Sequence, residues 1–191
     1  MSSTHTTQPK GLPFALHAAG LVGLSALRFI TLLAFGSLHE RRDRLGTWYD
    51  IDDRGKYMIF RETVGMVGQA ESRVVLVVGF RLRVIGSNPL LHRLFQRVCI
   101  LTTPFWSGFR GFHVKLWMVG QSRDYLGIYE WVGQANAQAY LDTLIPVLRA
   151  LSTSGSVWHE LHADLNLDVY LSTRCLSGYP QEGTTYATRR R

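Results

Sequence analysis

From residue 73 onward the apolar positions switch between two periods. Residues 74–85, VVLVVGFRLRVI, are β-branched and continuous and then alternate, as a buried strand does. Asn88-Pro89 follows, a cap residue and a first-turn proline, and predicts a helix through LLHRLFQRVCIL toward Thr103-Pro104. Residues 112–120, FHVKLWMVG, and 124–133, DYLGIYEWVG, read as strands joined by a short turn. The next segment, ANAQAYLDTLIPVLRALS, repeats Leu141, Leu144, Ile145, Leu148 and Leu151 on one helical face, with Pro146 predicting a kink or restart. Residues 156–163, SVWHELHA, read as a strand. Residues 164–171, DLNLDVYL, alternate through Leu165, Leu167, Val169 and Leu171 and predict an added strand.

The order is β-α-β-β-α-β, so the expected fold is α+β, a ferredoxin-like domain over residues 73–172. Helices on one side of such a sheet leave the other side bare, and a homodimer that stacks two sheets would cover it. Residues 41–72 read as a polar linker with a short accessory strand at YMIF, residues 57–60. Residues 173–191 read as a polar, basic tail.

The N-terminus has another pattern. Residues 1–11 are polar and expected to be disordered. Residues 12–40 predict a helix, almost continuously apolar to Gly36 and interrupted by His17 and Arg28. At about 1.5 Å per residue it reaches across a bilayer core of about 30 Å. Arg28 costs roughly 2.5–3.5 kcal/mol near a membrane centre, against roughly 0.3–0.6 returned per Leu, Ile, Phe or Val. Three readings stay open: a membrane-associated or spanning helix, a long helix packed on protein, and a cleaved signal segment. A spanning helix would leave the domain cytoplasmic, because Arg41, Arg42 and Arg44 follow it.

Composition narrows the function. The chain of 191 residues is 46% hydrophobic, enough for a core without staples. Cys99 and Cys175 follow no metal or redox spacing, which fits a reducing, cytoplasmic setting. The formal net charge of +7 is dispersed, with no basic stripe among aromatics, so no nucleic-acid partner is expected. Asp50, Asp52 and Asp53 lack the glycine-centred loop of a cation site and read as a turn, and no metal site is expected. No phosphate loop, nucleophile elbow or dinucleotide fingerprint is present.

A tight turn at residues 121–122 would set Phe112, Val114, Leu116 and Met118 opposite Trp131, Tyr129, Gly127 and Tyr125. His113, Lys115 and Trp117 would then share the other face with Glu130, Ile128 and Leu126. A slip of one residue would mix the two sets. Tyr125, Tyr129 and Trp131 around Gly127 read either as core or as the wall of a pocket, with Trp117 added to the ligand-binding candidates. His113 and Tyr129 are the catalytic candidates. His113, Lys115 and Glu130 read either as an acid–base set or as a cross-strand ion pair. His159 and His162 fall on opposite faces of a strand, which disfavours joint chelation.

The run GFHVKLWMVGQSRDYLGIYEWVG, followed by AYLDTLIPVLRALS and GSVWHEL, resembles a group of uncharacterised actinobacterial proteins. These are dimeric α/β-barrel proteins, the superfamily that also holds antibiotic-biosynthesis monooxygenases and haem-degrading monooxygenases. The resemblance covers residues 73–163. It implies a homodimer with a small-molecule cavity between sheet and helices, and a monooxygenase-like reaction on an apolar or aromatic substrate. It leaves the cofactor unknown, with haem one option. His92, on the first helix of the unit, reads either as a residue that reaches the cavity or ligates a haem, or as an edge or surface histidine. A non-catalytic ligand or haem binder, and a membrane-tethered dimerisation module, are the alternatives.

Overall fold

The computed structural model describes residues 38–51, 54–65, 72–83, 88–107 and 109–178. In chain order the strands and helices are β1 (Leu38–Arg41), β2 (Trp48–Ile51), β3 (Gly55–Gly65), β4 (Arg73–Phe80), α1 (Pro89–Ser107), β5 (Phe112–Gly120), β6 (Tyr125–Val132), α2 (Gln134–Leu151), β7 (Trp158–Ala163), α3 (Leu167–Arg174) and β8 (Cys175–Gly178). All strand pairs are antiparallel, in the order β7-β4-β6-β5-β3-β2-β8, with β1 also on β3. The expected βαββαβ unit is present as β4-α1-β5-β6-α2-β7, its strands lying fourth, first, third, second. Helix α1 starts where the sequence predicts, because Asn88 Oδ1 accepts the Leu90 N–H at 2.9 Å. It runs through Pro104 to Ser107, and α2 continues past Pro146 to Leu151 as one helix.

The segments outside that unit differ from expectation. The linker contains β2 and the eleven-residue β3, a strand central to the sheet rather than an accessory. A bulge between Ile59 and Arg61 changes the phase of β3, so Tyr57 and Ile59 share a face with Glu62 and Val64, which hides the alternation. Residues 38–40, expected to end the apolar helix, belong to β1. Residues 12–37 lie outside the described residues, and no described helix is long and apolar enough to cross a membrane. The stretch 164–171 is not a strand. Asn166 Oδ1 accepts the Val169 N–H at 2.8 Å and starts α3, which buries Leu167, Tyr170 and Leu171 at helical spacing. The expected tail begins as the end of α3 and β8.

These additions cover the sheet face that α1 and α2 leave free. Val75, Val77, Leu116, Met118, Leu126 and Ile128 on that face pack with Tyr57 and Ile59 of β3 and with α3. The sheet curls until its far ends meet. Arg54, in the β2–β3 turn, lies 4.1 Å over the Trp158 ring of β7 and bonds Glu160 at 3.1 Å. The bare face that argued for a stacked homodimer is therefore filled within one chain. A second core lies under the helices, where Val74, Leu76, Val78 and Trp131 meet Ala137, Tyr140, Leu141 and Leu144 of α2.

Candidate ligand cavity

The β5–β6 hairpin sets the site. Its loop is not a two-residue turn. Gln121, Ser122 and Arg123 form it, Gly120 N–H donates to the Asp124 carbonyl at 2.8 Å, and Arg123 has φ 60. Three-residue hairpins end on such a left-handed residue. The odd loop shifts the register by one residue from the expected pairing, so Lys115 faces Tyr129, Leu116 faces Ile128 and Trp117 faces Gly127. A bulge at His113 restores the Phe112–Trp131 pair. Lys115 and Trp117 therefore join Tyr125, Gly127 and Tyr129 beneath the helices. Val114, Leu116 and Met118 turn to the opposite core.

Beneath the helices the packing leaves a cavity of about 150 Å³. Its floor is Lys115, Trp117, Tyr125, Gly127 and Tyr129, and α1 contributes Phe95, Val98 and Cys99. Helix α2 contributes Leu144, Val147, Leu148 and Leu151. Val98, Val147 and Leu151 are exposed and form the rim. Gly127 keeps the floor open, since a Cβ there would lie 2.7 Å from the Tyr129 ring. Tyr125 is fixed by a 2.6 Å hydrogen bond between its hydroxyl and His92 Nδ1, and by the stacked Phe80 ring 5.6 Å away. Trp117 is fixed by its indole N–H, which donates to Thr63 Oγ1 at 3.2 Å.

Lys115 is the chemical exception in this apolar wall, and it is 95% buried by its 5% exposure. Its Nζ lies 3.1 Å from the Trp117 ring centroid and 4.7 Å from that of Tyr129. Burial holds its pKa well below the ordinary lysine value, opposed by the neighbouring Cys99 and reinforced by the Arg61 guanidinium. Burial likewise pushes the Cys99 thiol up to about 11, so at neutral pH it is a neutral wall.

Three of the four expected ligand-binding residues, Trp117, Tyr125 and Tyr129, line the cavity. Trp131 is fully buried behind it, packed edge-on to Phe112 and against Tyr140. The two catalytic candidates are not brought together. Tyr129 is in the floor, whereas His113 lies 3.6 Å from Glu130 on the other side of the sheet. Burial lowers the His113 pKa, opposed by Glu130. Glu130 accepts from Arg73 at 2.8 Å and from the Leu167 N–H at 2.7 Å, which makes it an ion pair that also caps α3. The slip removes Lys115 from this set.

His159 and His162 pair with Val78 and Val75 and point to opposite faces. Among the described residues no group of His, Cys, Asp and Glu side chains has the arrangement of a metal site. Haem does not fit the cavity. Drug-sized ligands need about 300–1,000 Å³, and no histidine lines the described wall.

No protein-family model matches the chain, and no curated protein does. Solved structures match it at low identity. An uncharacterised ferredoxin-fold protein related to antibiotic biosynthesis monooxygenases, from Listeria monocytogenes, aligns over 59% of this chain and 67% of its own, with 16% identity and a TM-score of 0.40. A haem-degrading enzyme from Listeria monocytogenes aligns over 58% and 71%, with 14% identity and a TM-score of 0.43. A monooxygenase-like protein from Listeria innocua aligns over 60% and 68%, with 14% identity and a TM-score of 0.39. At this level of likeness the ferredoxin-like assignment stands on the strand order of the chain itself.

Pattern reading puts Lys115, together with Trp117, on the wrong face. Two signals pointed to it. The loop lacks the Asn-Gly or Asp-Gly pair of a two-residue turn, and a lone lysine interrupts an otherwise apolar and aromatic strand.

Proposed function

We propose that this protein binds one small apolar or aromatic molecule in the cavity between the sheet and helices α1 and α2. The observation that carries the reading is the cavity itself: about 150 Å³, walled by aromatic and aliphatic side chains, with one amine in its floor. An apolar cavity of about that volume stays dry and takes a ring the size of benzene. A monooxygenase-like reaction on such a ligand is the catalytic form of the proposal, with Trp117, Tyr125 and Tyr129 as substrate walls. A non-catalytic carrier is the alternative form. Consumption of O2 dependent on a bound aromatic separates the two.

The test is thermal unfolding of the full chain with toluene, phenol and benzyl alcohol, beside native mass spectrometry of the protein as purified. A raised Tm with at least one ring, or a co-purified small molecule, supports the cavity. No shift with any of them and no co-purified species would remove it. A homodimer remains part of the proposal, now through the exposed stripe Leu90, Leu94 and Val98 of α1 rather than through the sheet. Light scattering of wild type and Leu94→Glu tests that contact. Tethering by residues 12–36 is tested by membrane fractionation of a chain lacking residues 1–36, which keeps β1 intact.

A further inference from the structure

A buried lysine ordinarily has a carboxylate beside it or extends its ammonium to water. Among the described residues Lys115 does neither. Among the described residues its Nζ is held by two ring faces, with Trp117 at 3.1 Å and Tyr129 at 4.7 Å. Ring faces accept an N–H from an amine as well as from an ammonium. A cation acts on it from the neighbouring strand, where Arg61 pairs with Trp117 and donates to Thr103 of α1 at 2.6 Å. The amine is thus desolvated, beside a second cation, and open to a cavity of one-ring size. Those are the conditions under which a lysine is an unprotonated nucleophile at neutral pH.

We propose that Lys115 is an imine-forming lysine, and that the ligand of the cavity is a small aldehyde or ketone bearing an aromatic or apolar group. This rests on the cavity reading above and names its ligand class. The Nζ lone pair attacks the carbonyl carbon and forms the C–N bond of a carbinolamine. The C–O bond then breaks, and the oxygen leaves as water with the two hydrogens of the amine. The product is C=N, and no oxidant or reductant takes part. The flat walls of Trp117 and Tyr129 hold a ring beside the amine, and Gly127 leaves the space in which it lies.

The groups that titrate or carry charge around Nζ come from every packed element. Helix α1 supplies Cys99 and His92, β3 supplies Arg61, β6 supplies Tyr125 and Tyr129, and α2 supplies Tyr140. The thiol and the three phenols stay neutral at neutral pH, since burial raises each of them. Cys99 is the member of this set that favours the protonated lysine, and it does so only as the thiolate, which burial disfavours at neutral pH.

The chain suits a direct test because it has three lysines, Lys10, Lys56 and Lys115. The full-length protein is mixed with benzaldehyde at about pH 7, where ordinary lysines are protonated, and then reduced with sodium borohydride. Intact mass and peptide mapping locate the benzyl group. The expected result is one benzyl per chain on Lys115, suppressed by excess toluene. Lys115→Met is expected to lose this adduct, and the toluene-induced rise in Tm is read on the wild-type chain. Labelling confined to Lys10, Lys56 and the terminal amine, with toluene still raising Tm, overturns the imine and leaves the cavity standing. Benzoate binding that depends on Lys115, without any adduct, overturns it in favour of an anion anchor. Failure of toluene, benzoate and benzaldehyde alike overturns both readings.

Discussion

The two faces of the sheet treat buried charge in opposite ways. On the face closed by β3 and α3, each carboxylate sits by an arginine. Glu130 meets Arg73 at 2.8 Å, the half-exposed Glu160 meets Arg54 at 3.1 Å, and the buried Glu62 lies 3.7 Å from Arg44 and 3.9 Å from Arg41, beyond hydrogen-bond distance. These pairs join segments far apart in sequence and hold the curl of the sheet. On the face beneath α1 and α2, Lys115 has aromatic neighbours and a cavity instead of an acid. Hydrogen-bonded charges of the first kind, Glu130 above all, build the fold. The second kind is carried at a cost to stability, and that cost marks a site.

The largest test of this contrast removes one charge from each face. Glu130→Ala leaves Arg73 without its carboxylate and the Leu167 N–H without its acceptor, and breaking a buried pair in this way costs about 3–5 kcal/mol. Lys115→Met replaces a desolvated amine with an apolar chain of similar length and is expected to cost nothing or to stabilise. Urea denaturation measures both. Equal losses from the two variants would end the distinction.

A pair of glycines sharpens it further. A Cβ on Gly127 would lie 2.7 Å from the Tyr129 ring in the cavity floor, and one on Gly79 would lie 2.2 Å from the Trp158 indole on the opposite face. Each Gly→Ala change overpacks its face at about 1–3 kcal/mol. Gly127→Ala should also abolish the toluene-induced rise in Tm, whereas Gly79→Ala should retain it. Retention in both would place the ligand elsewhere.

The faces also predict opposite pH slopes. Burial raises the Glu62 pKa, so between the ordinary carboxylate value and the raised one the folded state binds more protons than the unfolded state. Its contribution is present at low pH and is lost as pH rises through that window. Burial lowers the Lys115 pKa, so the unfolded state binds more protons between the lowered value and the ordinary lysine value. Stability from this group therefore rises with pH through that second window. Each slope is at most about 1.4 kcal/mol per pH unit. Glu62→Gln should flatten the first slope and Lys115→Met the second, read from unfolding curves across pH.

The same contrast explains what was legible in the sequence. The βαββαβ order, the Asn88 cap and the shared face of Tyr125 and Tyr129 follow from local periodicity and local hydrogen bonds, whereas Trp117 reaches that face through the register of the hairpin. The strands that close the sheet do not show in the pattern. Arg61 and Glu62 sit mid-strand in β3, and the bulge between Ile59 and Arg61 breaks its alternation. Helix α3 was obscured because Leu165, Leu167, Val169 and Leu171 satisfy period two, while Leu167, Tyr170 and Leu171 satisfy the helical period and have the Asn166 cap. Lys115 was assigned to the wrong face through one residue of loop length, which reverses every side chain of a strand. Register is a property of the pair of strands, and no window along one strand contains it.

The smallest expected effect separates packing from chemistry within the floor. Tyr125 contributes a ring, wedged between Phe80 and Phe95, and a hydroxyl bonded to His92 Nδ1 at 2.6 Å. Tyr125→Phe keeps the ring and deletes the hydrogen bond, at about 1 kcal/mol of stability. The cavity wall is unchanged, so toluene should still raise Tm and benzaldehyde should still label Lys115. A normal Tm shift with toluene, joined to loss of labelling, would mean that the Tyr125 hydroxyl handles a proton for the amine. His92 would then belong to the site through Tyr125 rather than to the fold.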